Sequence, residues 1–237
     1  MNKKYGRCKR RLGLPSRLFA GNGPLMTLPG RIFIARHGET VFNAAAKMQG
    51  QHHVHTPLTV RGFAQADEMG RALALWLGTR QALTLWSSSA GRALQTLAII
   101  TEHIGADWHE TRADDRLQEI DVGTWSGRTY AEIEKEIGPF VDREHSLFTV
   151  RAPEGEGYSD VAARLSDWIA ETGNERGDRL VLMHGMSSRV LRGLLLGLPV
   201  DPRFGAPIAP SLPQGTLVMI GNGEEKIIHA GGGVEHA

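Results

Sequence analysis

The 237-residue sequence predicts an α/β fold, a mostly parallel sheet with helices on both faces. Three observations carry this. Short apolar runs, "RIFIA", "ALTLWSS" and "DRLVLMHG", alternate with segments of helical period. The runs are apolar almost throughout, as in strands buried on both faces. Two of them lead into the same dipeptide, His37-Gly38 and His184-Gly185, each followed by a helical segment.

Each element has its own signal. "RIFIA" reads as the first strand. "LTVRGFAQADEMGRALALWLG" reads as an amphipathic helix opening near Thr59 and closing at Gly78, residues suited to those ends. "ALTLWSS" is the second strand, and "AGRALQTLAIITEHIG" a helix ended by Gly105, with Ser87-Ser88-Ser89 read only as an N-cap. "TYAEIEKEIG" is a short helix, and "GYSDVAARLSDWIAETG" a longer one with Ser159 as its N-cap. "DRLVLMHG" is a strand and "MSSRVLRGLLLGL" a helix. "GTLVMIG" and "EKIIHA" close the sheet as a pair of strands. Residues 119–158, rich in charge and glycine, break the alternation and read as a lid-like insertion within one domain spanning 31–237.

Hydrophobic content of 41% with 22% charged residues is that of a globular chain, not a disordered one. A chain of this length buries enough surface to fold without disulfides or structural metals. Cys8 is the only cysteine, so no internal disulfide forms, which fits a reducing compartment such as the cytoplasm. The net charge of +1 hides an asymmetry. Residues 1–30 carry Lys3, Lys4, Arg7, Lys9, Arg10, Arg11 and Arg17 and no acid; the rest carries 20 Lys and Arg against 26 Asp and Glu. This basic stretch lacks the aromatic interleaving of a nucleic-acid arm and reads as a disordered extension, or as a start placed upstream of Met26. An organelle address is the other reading its composition allows. No stretch approaches the roughly 18 apolar residues that a membrane span needs. The expected partners are therefore neither nucleic acid nor membrane. A homodimer is left open.

The strand ends carry the chemistry. His37 and His184 lie 147 positions apart, yet each follows a parallel strand, at the sheet edge where open α/β folds bind ligands. The glycine after each permits a sharp turn and close approach of a ligand. "LTLWSSS" leads into Arg92 in the first turn of its helix, where free N–H groups favour anions. Arg36, His37, Arg92 and His184 thus converge on one rim without an obvious carboxylate partner, which calls for an anionic ligand. The planar fork of arginine matches phosphate oxygens in two-point contact. An imidazole nitrogen can attack phosphorus, and the surrounding cations stabilise the transition state. The leaving alkoxide then needs an acid, and Glu119 in "DDRLQEIDVGTWSG" is the candidate. Singly, a strand-end histidine or an arginine is more often structural; the joint pattern is what points to chemistry. His52, His53 and His55 in "QHHVHT" raise a metal, but no second ligand cluster accompanies them, so no metal and no cofactor is expected.

These residues sit in motifs that resemble the histidine phosphatase superfamily, which includes cofactor-dependent phosphoglycerate mutases. "ARHGETVFN" looks like its signature. "PLTVRGFAQA", "SSSAGRALQT", "LQEIDVGTWSG", "APEGEGYSDVAARL" and "LVLMHG" follow in the family's order, over about residues 31–220. The resemblance implies a three-layer α/β/α sandwich of the phosphoglycerate mutase type. It implies His37 as the phosphorylated nucleophile, Arg36, Arg92, His184 and Asn43 as phosphoryl ligands, and Glu119 as proton donor. The chain departs from the family at Ser89-Ala90, where a proline is frequent, at His55, where an Asp is common, and at Gln214, where an Asn is common. Mutases of the family carry an adjacent arginine pair in the insertion. Here Arg128, Lys135, Arg143 and Arg151 are scattered. The expectation is a phosphatase acting on a small phosphorylated substrate. A mutase and a non-catalytic phosphate-binding scaffold are the alternatives.

Overall fold

The computed structural model describes residues 29–79 and 83–233. The reading of the basic stretch 1–30 falls outside these, except at Pro29 and Gly30. The chain begins with β1 (Ile32–Arg36), the short α1 (Val41–Ala44) and α2 (Val60–Leu77). Then come β2 (Thr84–Ser87), α3 (Gly91–Ile104) and β3 (Arg112–Ala113). After Glu119 lie α4 (Tyr130–Ile137) and a hairpin of β4 (Val141–Asp142) with β5 (Leu147–Phe148). The chain returns through α5 (Tyr158–Thr172), β6 (Arg179–Met183) and α6 (Gly185–Leu195), and finishes in β7 (Leu217–Gly221) and β8 (Glu224–His229). The main sheet runs β3-β2-β6-β1-β7-β8. Its first four strands are parallel, and β7 and β8 are antiparallel.

Successive strand residues point to opposite faces, and this divides the core. Phe33 and Ala35 of β1 and Leu180 and Leu182 of β6 pack with Met69 and Leu73 of α2 and Leu97 and Ile100 of α3. Ile32, Ile34, Val181 and Met183 face the other way, onto Leu165 and Trp168 of α5 and Val190 and Leu191 of α6. The result is the three-layer sandwich expected. Residues 119–158 join the second of these cores through Trp125, Ile133, Phe140 and Phe148. The insertion is therefore packed onto the domain, with Trp125 edge-on to Phe140 at 5.0 Å.

Two local readings need correction. The N-cap of α5 is Gly157, whose amide donates to Asp160 Oδ2 at 2.9 Å, not Ser159. Burying Tyr158 at the first helical position pulls the start back: its hydroxyl accepts from Phe148 N at 2.8 Å. The serine run does not cap α3 either. The capping residue is Ala90, and Ser88 turns inward to the site. Strand β3, two residues long, has no signal in the sequence.

The register of the sheet positions the site. Arg36 pairs with Met183, and Ser87 with Leu182. The residues that follow, His37, His184 and Ser88, therefore leave three neighbouring strands at one level. Two further bonds extend the ladder, His37 N to Met183 O at 3.0 Å and Ser88 N to Leu182 O at 2.9 Å. Helix α2 is pressed against the β1–α1 turn: a Cβ on Gly38 would lie 2.3 Å from Gly62 O, and one on Gly62 2.1 Å from Glu39 O.

Candidate active site

Five of the six sequence-predicted site residues stand around one centre, and Asn43 is joined to it through Gln214. His37 is buried, with Nδ1 2.7 Å from the carbonyl oxygen of Gly38. That partner can only accept, so Nδ1 carries the proton and Nε2 keeps its lone pair. Arg92 Nε lies 3.3 Å from His37 Nε2 and 3.2 Å from His184 Nδ1, donating to both. On His184 the proton is thus on Nε2, which donates to Ser88 Oγ at 2.7 Å. The two imidazoles meet edge to face, centroids 5.1 Å apart. Arg92 is itself held by carbonyls, Nη2 to Gly50 O at 3.0 Å and Nη1 to His53 O at 3.3 Å.

Arg36, at the end of β1, lies under the start of α6. A Cβ on Gly185 would come within 3.1 Å of its guanidinium carbon, so the glycine makes the room. Glu119 reaches the same helix start. Its carboxylate accepts from Ser187 N at 2.9 Å, Met186 N at 3.1 Å and its neighbour Ile120 N at 2.9 Å. Two amides of α6 are therefore taken by Glu119. On α3, Gly91 N is taken by Val54 O at 2.7 Å. Asn43 caps the Thr40 turn, and its Oδ1 accepts from Gln214 Nε2 at 3.1 Å, while Gln214 Nε2 also lies 3.4 Å from His37 O.

The electrostatics follow from burial. Desolvation, reinforced by the charges of Arg92 and Arg36, holds the His37 imidazole well below the ordinary histidine range. His184 is lowered by burial and then by Arg92, His37, Arg164 and Arg36. Burial brings Arg92 down to about 10, against the pull of Glu119, and lowers Arg36 as well. At neutral pH the site thus holds two uncharged imidazoles and two cations. Burial raises the Tyr130 phenol, which feels both Arg36 and Glu119 from the insertion.

His52, His53 and His55 form no metal set: among the described residues no three His, Cys, Asp or Glu side chains converge. His52 faces Asp121 at 3.3 Å, and His53 lies against Phe42 with ring centroids 4.8 Å apart and planes tilted by 53°. Sequence reasoning missed Ser88, the carbonyls of Gly50 and His53, and Tyr130. Only Ser88, next to a strand end that delivers Arg92, carried a readable signal.

A buried neutral imidazole flanked by arginines, at the carboxyl ends of parallel strands, is an arrangement chemically suited to a phosphoryl group. Residues 32–213 match the model of the histidine phosphatase superfamily, branch 1. The glucosyl-3-phosphoglycerate phosphatase of Mycobacterium tuberculosis is 36% identical over 182 residues, covering 72% of this chain and 77% of that protein. A probable phosphoglycerate mutase of Salmonella arizonae is 32% identical over 172 residues, covering 71% of this chain and 76% of that one. The solved structure of a mycobacterial glucosyl-3-phosphoglycerate phosphatase complexed with VO3 superposes with a TM-score of 0.65 at 28% identity, over 83% of this chain and 96% of that one. The chain belongs to the histidine phosphatase superfamily and is a histidine phosphatase.

Proposed function

We propose that the protein hydrolyses a small phosphomonoester through a phosphohistidine on His37. The observation that carries this is the state of His37: Nδ1 is tied to Gly38 O, leaving Nε2 unprotonated beside Arg92. Nε2 attacks phosphorus and the ester P–O bond breaks. The leaving oxygen takes a proton from Glu119, whose carboxylate first takes that proton from the monoanionic ester as it binds. Water then attacks the phosphohistidine, gives its proton back to Glu119, and the P–N bond breaks to free phosphate. Arg36 and Arg92 hold the phosphoryl oxygens, with Asn43 as a further donor through its amide nitrogen; His184, whose Nε2–H is on Ser88 and whose Nδ1 accepts from Arg92, joins them only on taking a proton at Nδ1.

Hydrolysis rather than transfer to a second phosphate is supported by the insertion. Two of its four cations, Arg128 and Arg151, pair at the surface with Glu136 and Asp160, and none of the four adjoins another in the sequence. The alternative is a mutase using the same phosphohistidine, as the Salmonella arizonae relative's name indicates for that protein.

The test is chemical trapping. Brief exposure to labelled p-nitrophenyl phosphate followed by denaturation gives an acid-labile, base-stable phosphoprotein in wild type and none in H37A. Wild type that never becomes labelled, and H37A that retains turnover, each refute the reading. Release of free phosphate from 3-phosphoglycerate in the presence of 2,3-bisphosphoglycerate supports the hydrolase. Efficient formation of 2-phosphoglycerate without phosphate release overturns it.

A further inference from the structure

We propose that Arg164, on α5, is a positioning residue that sets the reach of Glu119 to the leaving oxygen. This rests on Glu119 as the proton donor. Glu119 is held at both ends. Its carboxylate sits on the first amides of α6, while its carbonyl accepts from Arg164 Nη2 at 3.1 Å and from Gln51 Nε2 at 3.0 Å. Arg164 also donates through Nη1 to Arg116 O at 2.5 Å, so one guanidinium grips the chain on both sides of Gln118.

The guanidinium is itself locked. Nε and Nη2 fork onto the two oxygens of Glu156, at 2.9 and 3.0 Å. Glu156 Oε2 accepts in addition from Gln51 Nε2 at 3.1 Å and Asp121 N at 3.0 Å. The side chains of Arg164 and Glu156 retain only 15% and 21% exposure, which sets the pair apart from a mobile surface ion pair. Val161 and Trp168, a turn away from Arg164 on either side, and the adjoining Leu165 are all buried on α5, so Arg164 rises from a fixed post. Gln51 adjoins Gly50, whose carbonyl holds Arg92, so the brace spans the acid and the phosphate-binding loop. The planar fork is essential here: a lysine ammonium cannot meet Glu156 in two-point contact while also reaching two carbonyls.

Proton donation depends on sub-ångström placement, and a shift of about 1 Å costs about 10²-fold. The effect of losing Arg164 therefore falls on substrates whose leaving group needs the proton. The test compares p-nitrophenyl and phenyl phosphate, alike in shape and different in leaving-group basicity, for wild type, E119Q, R164M and R164K. E119Q raises the ratio of kcat on the nitrophenyl to that on the phenyl ester by about 10². R164M raises it by about 10-fold and R164K by less, while the vanadate inhibition constant stays within about 3-fold. An unchanged ratio in R164M beside a raised one in E119Q removes Arg164 alone from this role. An unchanged ratio in E119Q removes the acid assignment, and the proposal with it. If R164M does not fold, R164K decides, since it loosens Glu119 while keeping a cation beside Glu156; an unchanged ratio in R164K overturns the proposal.

Discussion

At the scale of the residue, the main physical fact is that His37 and His184 are neutral because they are buried beside cations. A nucleophile unprotonated at Nε2 at neutral pH follows directly. So does a stability effect. The unfolded chain binds protons on both histidines near the ordinary pKa of about 6.5, and the folded chain does not until well below it. Stability is therefore lost as the pH falls below that value, by up to ~1.4 kcal/mol per pH unit for each site. Urea titrations between neutral and mildly acid pH measure this slope. H184Q lowers it by one site's worth, and an identical slope in H184Q and wild type would refute the neutral assignment. On the alkaline side, Arg92 discharges at about 10. kcat/KM for p-nitrophenyl phosphate falls as the pH rises through that value, because the phosphate loses a cation; a profile flat across it excludes Arg92 as the group responsible. The identities of these residues were readable from the sequence, because strand, histidine and glycine occur in a fixed local order. Their tautomers were not, since those depend on Gly38 O, Arg92 and Ser88, of which two come from other segments.

At the scale of the element, the helices differ in what they contribute. Helix α5 buries Trp168 completely, edge-on to Trp86 at 5.5 Å. W168A should cost about 3–5 kcal/mol in urea unfolding. Its kcat on p-nitrophenyl phosphate, whose leaving group does not depend on the placement of Glu119, should stay near that of wild type at a temperature well below its melting point; a loss of kcat on this ester in a folded W168A would contradict this. Helix α2 behaves otherwise. G62A places a methyl 2.1 Å from Glu39 O, directly on the turn that follows His37. The turn must move, so both stability and kcat fall, the former by about 1–3 kcal/mol. Unchanged turnover in G62A would show that the His37 turn tolerates the shift. The ends of α2 and α3 were legible because Thr59, Gly78 and Gly105 are local signals. The start of α5 was not. There a buried tyrosine, bonded to β5, outweighed a serine with good capping chemistry.

At the scale of the whole molecule, the residues proposed to act on the phosphate come from β1, α1, α3, the Glu119 segment and the start of α6. An oxyanion bound among them links elements that must separate on unfolding. Vanadate at 100 times its dissociation constant stabilises the fold by about 2.7 kcal/mol through mass action. A thermal shift that rises with vanadate in wild type and vanishes in R92M is the expected result. Equal shifts in both would place the anion elsewhere. None of the helices in the described residues is long and apolar enough to cross a membrane.

What the sequence determined by itself is what local chemistry encodes. Apolar runs and helical periods specify an α/β sandwich, and two strand–His–Gly motifs with an arginine at a third strand end mark the candidate phosphoryl site. Tertiary structure decided what depends on partners far along the chain. The parallel register of β1, β6 and β2 brings His37, His184 and Ser88 to one level. The amides of α6 take Glu119, and Arg164 grips its carbonyl from 45 positions away. No pattern in the sequence announces such contacts, because a hydrogen bond between distant segments is set by where their backbones are packed, not by which residues are their neighbours.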